Sequence, residues 1–79
     1  MKHETVVYYW RSETTHIVYY LEVDYTNRCY SYGNLNRMNS RIWHTDLIHR
    51  LDRKKDLYLI QRSLVEKDFT HTSHLYGDY

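Results

Sequence analysis

The stretch THIVYYLEVDY, residues Thr15–Tyr25, decides the fold. Its side chains alternate with a period of two: Ile17, Tyr19, Leu21 and Val23 point one way, and His16, Val18, Tyr20, Glu22 and Asp24 the other. That pattern belongs to an antiparallel strand with one face on a core and one toward water, because successive residues of a pleated chain project to opposite sides. On the N-terminal side, Thr5–Arg11 is dense in β-branched and aromatic residues, and Ser12-Glu13-Thr14 is a polar break of hairpin length. On the C-terminal side, Thr26-Asn27-Arg28 reads as a second turn and Cys29–Tyr32 as a shorter third strand. The front half is therefore expected to be a three-stranded meander.

Beyond Gly33 the periodicity changes. Asn34–Asn39 interrupts the pattern, and Asn36, Asn39 and Ser40 are all capable N-caps. From Ser40 to Lys55, Trp43, Leu47, Ile48 and Leu51 fall within an arc of about 140° at 100° per residue, which predicts an amphipathic helix. Arg53-Lys54-Lys55 would then sit in its last turn, where cations suit the negative end of the helix dipole. Residues 57–67 fit two templates. Tyr58, Ile60 and Leu64 share a strand face, whereas Leu57, Ile60 and Leu64 match helical spacing. A fourth strand is preferred, because it would complete a sheet with one face covered by the helix. The expected architecture is α+β: an antiparallel three- to four-stranded sheet with one helix packed on one face, in the order β-β-β-α-β. Residues 70–79 are expected to form a flexible tail.

Seventy-nine residues suit a single domain with a thin core, and pairing with a second copy as a homodimer would bury more apolar surface. One cysteine, Cys29, has no internal disulfide partner, which points to a reducing compartment. No run of about 20 apolar residues offers a membrane span, and the charged start lacks a signal-peptide core, so a cytoplasmic protein is expected. Ten residues are tyrosine, while alanine and proline are absent. An AT-rich coding sequence is the expected source of that bias, and tyrosine in excess of it is the functional reading.

The motifs of catalysis are missing. The spacing of His71 and His74 permits chelation, but a zinc site needs three or four ligands, usually with thiolates, and Cys29 is the one thiol. Cys29 would need a neighbouring cation or histidine to become a nucleophile, and Arg28, adjacent on a strand, projects to the other face. Glu22 and Asp24 share a face, but with Tyr20 and His16 beside them they read as the wet side of the sheet. Two isolated glycines make no phosphate-cradling loop. Neither an enzyme nor a metal or other cofactor is expected.

Charge and tyrosine point to binding. Residues 36–55 carry six basic and two acidic side chains, whereas residues 1–35 carry three basic and four acidic. Tyrosine and arginine are enriched at interface hot spots, since a phenol supplies rigid area with a polar tip. The expected partner-binding residues are Tyr20, Tyr30 and Tyr32 on an exposed sheet face, with Arg41, Arg50, Arg53, Lys54 and Lys55 on the basic helix. A protein partner is preferred. The alternative partner is single-stranded nucleic acid, bound by the same cations with the tyrosines as stacking platform. Against it, the aromatic–glycine signature of RNA-recognition motifs is missing, and Asp46, Asp52 and Asp56 dilute the positive field.

In small size, lack of catalytic apparatus and AT-rich composition, the chain is similar in general character to small inhibitors encoded by phages and mobile elements, including anti-CRISPR proteins. The resemblance covers no specific motif, and no functional residue is carried over from it. It implies action by occupying or blocking a partner's surface.

Overall fold

The computed structural model describes residues 4–35 and 47–72. Its elements are β1 (Thr5–Arg11), β2 (Val18–Asp24), β3 (Cys29–Leu35), β4 (Ile48–Arg50), α1 (Lys54–Glu66) and β5 (Thr70–His71). The sheet order is β4-β1-β2-β3-β5. The central meander is antiparallel as expected, with Tyr9 opposite Tyr20 and Glu22 opposite Ser31. Both outer pairs are parallel, so the sheet is mixed and five-stranded rather than antiparallel and three- to four-stranded.

Each turn of the meander is closed by polar side chains. Between β1 and β2, Ser12 Oγ accepts from the Thr15 amide and meets Thr14 Oγ1, and His16 takes a left-handed φ of 61°. Between β2 and β3, the Asp24 carboxylate accepts from the amide and the side-chain Nδ2 of Asn27, and Arg28 supplies the left-handed residue.

The second half departs from expectation. Within the predicted 40–55 helix, residues 40–46, Arg41 and Trp43 included, lie outside the described residues. Its remaining part holds β4 and only the first two residues of α1, Lys54 and Lys55: the Val7 amide donates to the Leu47 carbonyl, and the Leu51 amide to that of Tyr9. These bonds seat a short parallel strand on the outer edge of β1, where His49 stacks on Tyr8. The helix comes later, over the segment expected to be the fourth strand. Its residues are mostly good helix formers, and Leu57, Ile60 and Leu64 occupy an arc of about 60° at 100° per residue. The period-2 alternative fails on Tyr58, which projects into solvent.

Helix α1 ends in a Schellman motif. The Phe69 amide donates back to the Leu64 carbonyl and the Asp68 amide to that of Val65, with Asp68 left-handed at φ 65°. Phe69 then packs in the cluster that includes Leu64, under the Arg28 guanidinium, which also donates to the Lys67 carbonyl. The first part of the expected tail is thereby ordered: Thr70–His71 add to the edge of β3 as β5.

The two faces of the sheet differ. Helix α1 packs over β1 and β2, enclosing Leu21, Val23, Tyr30, Leu57 and Leu64, with Tyr8, Trp10 and Tyr19 around them. The other face is also inaccessible at its centre. Val7, Val18 and Tyr20 are buried there beside the polar Glu22, Asp24 and Ser31.

Candidate protein-docking face

The expected tyrosine platform does not form. The strand registers place Tyr20 on the face away from the helix, paired with Gly33, and Tyr30 on the helix side, paired with Val23. Both are buried, at 6% and 5% exposure, while Tyr32 is 51% exposed. The reason is local packing. Gly33 lets the Tyr20 ring lie across β3, where a Cβ would stand 3.0 Å from the phenol oxygen and 3.3 Å from the ring. Tyr30 closes the core beside Val23, and Tyr32 stacks on His71, ring centroids 4.9 Å apart. A shared outer row of three phenols is therefore replaced by one exposed ring.

The basic residues stand in a different setting from the expected helix end. Arg50 ends β4, Arg53 is the N-cap of α1, and Lys54 and Lys55 open its first turn. Lys54 Nζ lies 4.1 Å from the Tyr19 ring centroid as a cation–π contact. Arg50, Arg53 and Lys55 are exposed. Cations at the positive end of the dipole oppose helix formation, each by up to about 1 kcal/mol, and Asp56 is the sole acid in that first turn. Retaining them there costs stability. Arg41 lies outside the described residues.

The continuation of this basic start is the outward side of α1. At 100° per residue, Lys55, Tyr58, Leu59, Arg62 and Val65 fall within an arc of about 120°, opposite the Leu57–Ile60–Leu64 stripe. Tyr58, Leu59 and Val65 are each more than half exposed. With Gln61 and Arg62 they line a shallow depression of about 440 Å³. Two cations thus flank three apolar side chains on one solvent-facing surface. These residues were not singled out from the sequence, although the helical spacing of Leu57, Ile60 and Leu64 carried the signal. Taking that spacing as the governing one sends Tyr58, Leu59 and Val65 outward.

The groups weighed for catalysis sit as follows. Burial is the main cause pushing the Cys29 thiol up from its ordinary range, with Asp24 adding to it, the reverse of an activated nucleophile. His71 lies between the rings of Tyr30 and Tyr32. Among the described residues, no group of three or more His, Cys, Asp or Glu stands together in a way that would hold a metal ion. No helix among them is long and apolar enough to cross a membrane. Searches against protein-family models, curated proteins and solved structures each gave no match.

Proposed function

We propose that this chain is a non-enzymatic protein-binding module that docks through the outward side of α1 and acts by covering a partner's surface. One observation carries the reading: three apolar side chains, each more than half exposed, are aligned on a helix whose opposite side already supplies the core. Apolar area grouped on a small protein is characteristic of interaction sites, and Tyr and Arg are the residue types that dominate them. The flanking Lys55 and Arg62 suit a partner with an apolar groove and an acidic rim. Blocking of this kind is how small phage- and mobile-element-encoded inhibitors act, and the chain's general character fits that class.

The test is co-purification from lysate of the cells that express the protein, using wild type beside folded Tyr58→Glu and Val65→Arg variants. A stoichiometric protein bound by wild type, lost with either variant and retained by Glu13→Gln, supports the reading. Equal recovery with all variants, or none with wild type, overturns it. A change in the protein's own sedimentation with Val65→Arg would identify the occupant as a second copy.

The exposed cations of the β4–α1 junction favour one other reading, binding of single-stranded nucleic acid. It lacks its stacking platform, because Tyr20 and Tyr30 are buried. Affinity for an oligonucleotide that falls steeply with salt is its signature, through counterion release.

A further inference from the structure

Glu22 lies in β2, the middle strand of the sheet, and is fully buried. Its flanking partners across the strands, Val7 and Ser31, are as inaccessible as it is. Ser31 Oγ donates to Oε1 at 3.2 Å, and Oε2 has no hydrogen-bond partner among the described residues. A carboxylate taken out of water with half its acceptor capacity unmet is strongly disfavoured, whereas a neutral carboxyl in the same place costs far less. The groups that share its face add to this. Asp24 follows two residues on along β2, and Cys29 stands opposite Asp24 on β3. Tyr20 and Tyr9 lie on the other side of Glu22, and among the described residues the cations of this face, Arg11 and Arg50, sit further along, at the registers of Val18 and Tyr9.

We propose that Glu22 is a proton-operated switch at the centre of the sheet: the neutral carboxyl seats the closed face, and its ionisation loosens that face and the fold with it. The carboxyl is held up at about 7, chiefly by burial and further by Asp24, with the Ser31 hydrogen bond pulling the other way. An unfolded chain gives up this proton near 4.5. The folded state therefore keeps a proton that the unfolded state has lost between about pH 4.5 and 7. Stability is full below that window, falls as pH rises through it, and stays at the lower level above it. This device is separate from docking through α1, and neither depends on the other.

The test is a pair of measurements on the full chain. Chemical unfolding from pH 4.5 to 8.5 is compared for wild type and Glu22→Gln, which keeps the shape and removes the charge. Wild type should lose folding equilibrium constant by on the order of a few hundred-fold across the window relative to the variant. Carbon-13 NMR of the Glu22 carboxyl in wild type should give a midpoint near neutrality, and Ser31→Ala should move it higher. The NMR arm holds whether or not Glu22→Gln folds. Parallel pH profiles for the two proteins, or a midpoint below 5, would overturn the proposal.

Discussion

Leu64 and Val65 are neighbours in α1, yet one is 3% exposed and the other 55%. Around Leu64 stand Leu57, Ile60 and Phe69, all packed against the sheet. Around Val65 stand Tyr58, Leu59 and Arg62, facing solvent. The inward stripe is explained by the fold, since removing those side chains from water is what attaches the helix to β1 and β2. The outward stripe is not. An exposed helix face needs only polar side chains with good helix propensity, and Tyr and Val are poorer helix formers than the Lys, Gln and Arg beside them. Two apolar stripes on one helix thus stand apart: packing on the sheet accounts for the inward one, and the proposed docking would account for the outward one.

The largest effect that separates them is on stability. Leu64→Ala should cost about 2–5 kcal/mol, read by urea unfolding, because it leaves a cavity under the helix. Phe69→Ala comes next, at about 2 kcal/mol, since it removes the apolar contact that accompanies the Schellman cap along with the ring beneath Arg28. On the outward side, Val65→Arg should shift stability by no more than about 0.5 kcal/mol while abolishing partner recovery. If Val65→Arg unfolded the protein, the distinction between the stripes would fail. The sharpest effect is one of sign. Lys55→Glu places an acid at the positive end of the helix dipole, so it should stabilise the fold by about 0.3–1 kcal/mol yet weaken docking to an acidic rim. A measured gain in both would remove the charge argument.

The meander was legible because Thr15–Tyr25 alternates with a period of two, Thr5–Arg11 is dense in β-branched and aromatic residues, and the polar breaks at Ser12–Thr14 and Thr26–Arg28 have turn chemistry of their own. The helix was legible only as an alternative. Leu57, Ile60 and Leu64 satisfy both periods in part, and the stop signal was hidden because Asp68, rather than glycine, takes the left-handed position. β4 and β5 have three and two residues, too few to show a pattern, and parallel pairing at each edge is set by tertiary contact. The exposure of the tyrosines was not legible for a related reason: burial of Tyr20 depends on the space at Gly33, and that of Tyr30 on the helix lying over its face. Arg53, Lys54 and Lys55 suit the last turn of a helix by charge and instead open one, while Arg50 ends β4. Glu22 and Asp24 read as the wet side of the sheet because Tyr20 and His16 share their face, yet Tyr20, Glu22 and Asp24 are all buried.

The most direct test of two stripes with two purposes is site-specific photo-crosslinking in the expressing cells. A photoreactive residue is placed in turn at positions 58 and 65 on the outward side of α1, and at 13 and 27 on the exposed turns. The account predicts one discrete protein adduct from 58 and 65 and none from 13 or 27. Adducts equally strong from the turn positions, or none from the helix, would contradict it.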